Sequence, residues 1–232
     1  MTSKTQSFLR LNLIAVTLIS ACSSTPPPPV WQSNAFTALN GFSAAYLRGN
    51  TRLADLEFSR AKTEIASTGR ADLLARAELT RCATRVASLE FDNCAAYLPL
   101  AQDATASEQA YAAFLTGNWA GLDPLRLPEQ HRELVSKASA NKQSDNPVSL
   151  LDATQDPLAR LIAAGVLLQT GQLAPTDITV AIDTASGQGW RRPLLAWLGL
   201  QLKRANDAGD LEAKARIQRR IGLVLRVDVK DQ

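Results

Sequence analysis

Apolar side chains recur every three or four residues along most of the chain after residue 35. The clearest stripe joins Ala54, Phe58, Ala61 and Ile65. The other stripes are Ala75, Leu79, Cys82, Val86 and Leu89; Leu158, Leu161, Ile162, Gly165 and Leu168; and Leu195, Leu198, Leu202 and Ala205. Such spacing places the apolar side chains on one face of an α-helix. The pattern therefore predicts amphipathic helices that each bury one face.

Residue types at the ends of these segments are typical of helix caps. Thr105 and Glu108 have the spacing of a capping box. Asp123 and Asp156 each precede a proline, an order that favours an N-cap followed by the first helical turn. Gly69 is suited to a left-handed cap after the first stripe.

Two short segments alternate apolar and polar residues in the manner of strands, DITVAID at 177–183 and VLRVDVK at 224–230. Each is isolated, with no second strand pattern beside it. We interpret the first as helix, and the second as a frayed helix end or an edge strand. The predicted fold class is all-α, built from stacked antiparallel helix pairs.

The segment 138–149, ASANKQSDNPVS, is polar and aperiodic. It predicts a long surface loop or a boundary between subdomains. The helices of 35–137 and those of 150–232 then form either two units or one continuous domain.

The stretch YLRGNTRLADLEFSRA, residues 46–61, resembles the middle of a tetratricopeptide repeat. In that family a first helix ends at a Gly-Asn or Gly-Asp turn, and the second helix carries Ala-x-x-x-Phe-x-x-Ala. Here these are Gly49-Asn50, followed by Ala54, Phe58 and Ala61. The resemblance implies a short TPR-like α-solenoid.

Similar turns recur at Gly117, Gly171 and Gly209. Gly117 lies 68 residues after Gly49, which is twice the repeat period of about 34 residues. The 54 residues from Gly117 to Gly171 break that period. A generic helical bundle with glycine-ended hairpins is therefore the alternative.

The first 21 residues have the pattern of a bacterial export signal. Lys4 and Arg10 are the only charged residues there, and an apolar core follows at 13–19. That core is shorter than the roughly 20 residues needed to span a bilayer. This order is typical of a signal peptide, residues 1–21, that is removed after export.

Ile19-Ser20-Ala21-Cys22 resembles the lipobox of bacterial lipoproteins, in which an aliphatic residue and two small residues precede a cysteine. The resemblance implies cleavage by signal peptidase II and acylation of Cys22. Ser23 stands where an aspartate favours inner-membrane retention in enterobacterial lipoproteins, so the periplasmic face of the outer membrane is implied. Residues 22–34, with prolines at 26–29, would form a lipidated, stiff tether. An ordinary signal peptide with a chance cysteine is the alternative.

The charge of the chain disfavours nucleic acid as a partner, and it makes the region after Gly189 basic. Without the two cations of the leader, the formal charge falls from +3 to +1, which is not typical of nucleic-acid binding. After Gly189, however, there are ten basic residues and five acidic ones. This basic end is either a solvated helix surface or a surface for anionic lipid headgroups, lipopolysaccharide or an acidic partner.

Once Cys22 is acylated, Cys82 and Cys94 are the remaining cysteines. An oxidising compartment favours a disulfide between them. On one continuous helix they would lie about 18 Å apart, beyond disulfide reach. Pairing therefore requires a chain reversal at residues 90–93; two buried thiols are the alternative.

Little in the sequence indicates catalysis. Glu129 and Glu133 flank the single histidine, His131, but residues two apart do not share a helix face, and we expect a surface histidine. The sequence contains no nucleophile elbow, phosphate-binding loop or dinucleotide fingerprint. We therefore predict no catalytic residue, no metal site, no cofactor and no small-molecule substrate.

Trp190, Arg191 and Arg192 follow a Gly-Gln-Gly sequence at the predicted start of a helix. Glycines, a helix N-terminus and two arginines are suited to a carboxylate or phosphate of a partner. The other interpretation is a loop with a capping proline, Pro193, and an aromatic side chain anchored in the core.

Stacked helix pairs form concave surfaces suited to binding proteins or peptides. The expected function is a non-enzymatic scaffold, an outer-membrane lipoprotein that holds a helical adaptor in the periplasm and binds an envelope protein. The alternative is an envelope protein that acts on or binds peptidoglycan, which a cleft gathering two carboxylates, or Glu129 with His131, would favour. A third interpretation is a structural lipoprotein that binds cell wall or lipid through its basic C-terminal helices.

Overall fold

The computed structural model describes residues 27–141, 149–151 and 154–226, which form nine α-helices and two short 3₁₀ turns. These residues contain no β-strand, and adjacent helices pack as pairs. The predicted all-α class is therefore confirmed. The helices are α1 (Val30–Arg48), α2 (Thr51–Ala66), α3 (Ala71–Val86), α4 (Ala106–Leu115), α5 (Glu129–Asn141), α6 (Pro157–Gln169), α7 (Pro175–Gly187), α8 (Arg191–Asp207) and α9 (Leu211–Arg226). The leader with Cys22 lies outside the described residues.

Two helices extend beyond their predicted limits. α1 begins at Val30, inside the segment 22–34 predicted as a tether, and Pro29, with an extended ψ of 145°, directly precedes it. α5 continues to Asn141, into the segment 138–149 predicted as a loop. The alternating DITVAID segment lies within α7, as predicted, and α9 includes the first three residues of VLRVDVK.

The predicted caps are present. The Thr105 backbone N–H donates to Glu108 Oε2 at 2.8 Å, and the Glu108 N–H donates to Thr105 Oγ1, which closes the capping box of α4. Asp156 accepts from the Ala159 N–H at 2.7 Å at the start of α6. Asp123 caps a 3₁₀ turn, Pro124–Arg126, rather than an α-helix.

The hairpin of α1 and α2 turns where the sequence predicts it. Gly49 has a φ of 92°, which strains any residue with a side chain. Its N–H donates to the Tyr46 carbonyl, and the Asn50 side chain caps α2 at the Leu53 N–H. Ala54, Phe58, Ala61 and Ile65 are all buried, so the first stripe is confirmed.

Two clusters of buried apolar side chains form the core. The smaller one joins α1, α2 and the start of α3. The larger one extends from Ala75 to Ile217 and contains residues from both sides of the segment 138–149.

The prediction of one buried face is wrong for α6. Seven successive residues of this helix, 161–167, are buried, because α3, α4, α5 and α7 all pack against it. A helix that is apolar all round is one that lies at the centre of its fold.

A loop after α3 brings Cys94 back to Cys82. Their sulfur atoms lie 2.00 Å apart and their Cα atoms 5.2 Å apart, a disulfide-bonding distance. Asn93 and Cys94 both have a φ of 52°, and Asp92 accepts from the Cys94 N–H at 3.0 Å. The chain reversal predicted at 90–93 is confirmed.

Candidate binding groove

A groove runs along the surface where α3, α4 and α5 meet the start of α6. It consists of three adjoining cavities of about 470, 150 and 340 Å³. Gln130 lines all three, so the cavities are neighbours on one surface. We call this row of cavities the α3–α6 groove.

One end of the α3–α6 groove is basic. Arg76, Arg126 and Arg132 line the largest cavity. Arg76 donates from Nε and Nη2 to Glu108 Oε1 at 3.0 and 2.8 Å, and Arg132 Nε donates to the Leu127 carbonyl at 2.9 Å. These bonds hold both guanidinium groups at the rim. Arg126 lies 3.5 Å from Asp123, and Glu108 is the only carboxylate among the described residues that line this cavity.

The floor of the groove is mainly apolar. Leu79, Tyr111 and Leu127 line the basic end, and Leu158 and Ile162 line the centre. Within the described part of the chain, the Tyr111 hydroxyl has no hydrogen-bond partner, and burial raises its pKa above the usual range. This hydroxyl therefore stays protonated and able to donate to a bound molecule.

The other end of the groove is acidic, with Glu129, Glu133 and Asp156 in its lining. Asp156 is engaged at the start of α6 through the Ala159 N–H. Glu133 pairs with Lys137 at 2.7 Å. Glu129 is exposed and forms no ion pair within the described residues, so it is the carboxylate available to a ligand.

His131 is not on the surface, and the sequence-based expectation is wrong. Its side chain is 0% exposed and its ring centre lies 4.7 Å from that of Phe114. Burial lowers the pKa of His131 to about 4, although the negative charge of Asp156 acts in the opposite direction. The aromatic cluster between α4 and α5 removes the ring from water, and Glu129 lies on the exposed side of α5 instead. The two residues do not form a joint site.

The structure places Trp190, Arg191 and Arg192 at the start of α8, away from the α3–α6 groove. Trp190 packs against the larger core cluster. Arg192 contacts Tyr46, Thr51 and Glu90, so its guanidinium joins α8 to the first hairpin. A role of Trp190, Arg191 and Arg192 in binding a partner stays a prediction.

Sequence reasoning did not find the basic end of the groove. Arg76, Arg126 and Arg132 come from a helix, a 3₁₀ turn and another helix, and no short motif joins them. Only the assembly of α3, α4, α5 and the Pro124–Arg126 turn brings them to one cavity. The sequence draws attention to Glu129 only because it lies two residues from His131. That spacing does not reveal the groove.

No protein-family model, curated protein or solved structure matches this chain. Among residues 27–141, 149–151 and 154–226, no three His, Cys, Asp or Glu side chains are placed to hold a metal ion. In the same ranges, no helix combines the length and the hydropathy needed to cross a bilayer.

Proposed function

We propose that this chain is a lipid-anchored lipoprotein on the periplasmic face of the outer membrane, and that it acts as a non-enzymatic adaptor for an envelope protein. The α3–α6 groove is the observation that carries the adaptor role. It offers an apolar floor between a basic end and an acidic end, both open to solvent.

An extended polypeptide segment fits these features. Its apolar side chains would cover the exposed Leu125 and the half-buried Tyr111 at the basic end, because burial of apolar surface is the main source of binding free energy. An acidic residue of the segment would lie at Arg126 and a basic one at Glu129. The separated charges would fix the direction of the bound segment, since a reversed segment would place like charges together.

Co-purification with matched variants tests the adaptor role. The tagged, lipidated protein would be isolated from its own envelope in a gentle detergent, and the proteins that accompany it identified by mass spectrometry. We expect a stoichiometric partner with the native chain that is lost with Arg126→Glu and with Glu129→Lys. Arg52→Glu is the control, because Arg52 is exposed on α2 and does not line the groove.

Two outcomes would contradict this proposal. If no stoichiometric partner accompanies the native protein, the adaptor role is wrong. If a partner is recovered equally with the groove variants, it binds at another surface.

The anchor is tested separately, since it depends on Cys22 and not on the groove. The native chain should incorporate a fatty-acid label and sediment with outer membranes, and Cys22→Ser should remove the label. Labelling that persists in Cys22→Ser would contradict acylation at this position.

The acidic end of the groove favours a second candidate, an enzyme that acts on peptidoglycan. Three carboxylates line one cavity there, and glycoside hydrolysis commonly uses two. Two of the three are already engaged, Asp156 at a helix start and Glu133 with Lys137. We therefore prefer the adaptor. Solubilisation of purified peptidoglycan by the native chain, lost with Glu129→Gln, would reverse that preference.

A further inference from the structure

The last helix presents an exposed leucine that is enclosed by arginines. Leu223 is 64% exposed. Arg216, Arg219 and Arg220 precede it by seven, four and three residues, and Arg226 follows it by three. These spacings place all four arginines on the helix face of Leu223. We call this set of five residues the α9 surface; Ile217, on an adjacent face of the helix, is buried in the core.

The positive charge of the α9 surface is largely uncompensated. Arg219, Arg220 and Arg226 form no ion pair within the described residues, and only Arg216 has a partner, Glu212 at 2.6 Å.

The other two acidic side chains of this hairpin form no ion pair with the α9 surface, although Asp210 lines the same cavity as Arg216 and Arg220. Asp207 pairs with Lys203 at 2.8 Å, and Asp210 accepts from the Ala213 N–H at the start of α9. Arg204 of α8 lines the same cavity as Arg216 and Arg220, so the basic region continues onto the neighbouring helix.

We propose that the α9 surface docks this domain on an anionic phospholipid bilayer. The guanidinium groups would lie among the lipid phosphates while the Leu223 side chain inserts below them, the arrangement that basic amphipathic helices adopt at a membrane surface. Each cation near an anionic bilayer increases binding about fivefold, so three uncompensated arginines contribute about a hundredfold.

The position of the anchor favours lipid over an acidic protein as the occupant. Val30 lies only eight positions after Cys22, a span of at most about 29 Å. This step rests on the lipid anchor proposed above: an acylated Cys22 would keep the domain beside the bilayer, and the high effective concentration would make weak docking nearly complete. The charge and exposure of the α9 surface do not depend on the anchor.

Vesicle binding by the unacylated chain tests the docking surface. Residues 23–232 are suitable because both core clusters lie between Ala35 and Ile217. The protein would be sedimented with phosphatidylcholine vesicles with and without phosphatidylglycerol, at low and high NaCl. We expect binding only to the anionic vesicles, weakened by salt because salt screens the charges.

Matched triple variants locate the binding. Arg219→Gln with Arg220→Gln and Arg226→Gln should lower the partition coefficient about a hundredfold. Arg48→Gln with Arg52→Gln and Arg60→Gln removes the same charge from α1 and α2, where all three side chains are exposed, and should change it only slightly. Circular dichroism during heating would show that both variants fold.

Leu223→Ser distinguishes binding to a bilayer from binding to an acidic polypeptide. It should weaken vesicle binding several-fold if the leucine inserts. The proposal is overturned if the native chain does not prefer anionic vesicles, or if both triple variants bind equally. It is also overturned if soluble polyglutamate displaces the protein completely and Leu223→Ser has no effect, since the surface then takes an acidic polypeptide. Each of these failures would leave the acylation of Cys22 and the α3–α6 groove unaffected.

Discussion

The Arg192 guanidinium lies 4.2 Å from the centre of the Tyr46 ring, and its Nε donates to the Tyr46 carbonyl at 2.9 Å. The same group donates to Thr51 Oγ1 at 2.7 Å and pairs with Glu90 at 3.3 Å. One side chain of α8 therefore contacts α1, the start of α2 and the loop after α3. These contacts fix the α1–α2 hairpin to the rest of the helical stack.

Replacement of Arg192 should destabilise the fold. We expect Arg192→Ala to lower the free energy of unfolding by about 3 kcal/mol, because it removes charged hydrogen bonds and a ring contact. Arg192→Lys should cost about 1 to 2 kcal/mol, since an ammonium keeps the charge but cannot reproduce the planar, branched contacts. Urea denaturation followed by circular dichroism measures both.

Arg52→Ala is the control for this prediction, because Arg52 is an exposed neighbour of Thr51 with no ion pair in the described residues. It should change the stability by less than about 0.5 kcal/mol. If Arg192→Ala and Arg52→Ala were equally mild, the contacts of Arg192 would not hold the hairpin.

The sequence alone could not reveal the long-range contacts of Arg192. The Trp190-Arg191-Arg192-Pro193 motif correctly predicted a helix start. It could not show that Tyr46, 146 residues earlier, lies opposite Arg192. Charged side chains at helix starts have similar local patterns whether they bind a ligand or another part of the same chain.

The buried His131 should make stability depend on pH. Its folded pKa of about 4 lies below the ordinary value of 6.5, so between these pH values the unfolded chain binds a proton that the folded chain does not. Stability is therefore complete above pH 6.5 and falls as the pH decreases towards 4. The loss amounts to about 3 kcal/mol.

His131→Phe isolates this contribution, because a phenyl ring matches the aromatic neighbours Phe114 and Tyr111 and does not titrate. The free energy of unfolding of His131→Phe should not show the decrease between pH 6.5 and 4 that we expect for the native protein. The chain has one histidine, so an NMR titration of the imidazole follows His131 directly. A native-state pKa near 6.5 would contradict the burial.

The Cys82–Cys94 pair should contribute to stability. The two cysteines are separated by 12 residues, and a cross-link of this length stabilises a fold by about 3 kcal/mol through the lost entropy of the unfolded chain. Cys82→Ala with Cys94→Ala should therefore lower the midpoint of urea denaturation. Reduction of the native protein should have the same effect and should leave the double variant unchanged. Thiols that react freely in unreduced native protein would show that the bond is absent.

Local patterns predicted much of the fold, and packing between distant helices decided the rest. The capping box of Thr105 and Glu108 and the turn at Gly49 depend on a few neighbouring residues, and both are present. The burial of His131 depends on α4 packing over α5. The basic end of the groove likewise exists only after α3, α4 and α5 have assembled. No short sequence pattern encodes either feature.

Gly165 marks the closest approach between α3 and α6. A Cβ atom placed on Gly165 would lie 2.4 Å from the Val86 backbone oxygen and 2.9 Å from a Val86 side-chain carbon. The backbone oxygen cannot move without a shift of the end of α3. We expect Gly165→Ala to lower the free energy of unfolding by about 1 to 3 kcal/mol, despite the better helix propensity of alanine.

Gly199→Ala is the matched control, because Gly199 lies inside α8 and, among the described residues outside its own helical turn, no atom would lie within 4 Å of an added Cβ. There the higher helix propensity of alanine should stabilise the protein by up to about 1 kcal/mol. Glycine-to-alanine substitution should thus lower the free energy of unfolding at Gly165 and raise it at Gly199, as measured by urea denaturation. Stabilisation by Gly165→Ala would mean that α3 and α6 lie farther apart than the contact with Val86 requires, and that α6 is less closely enclosed at the centre of the fold.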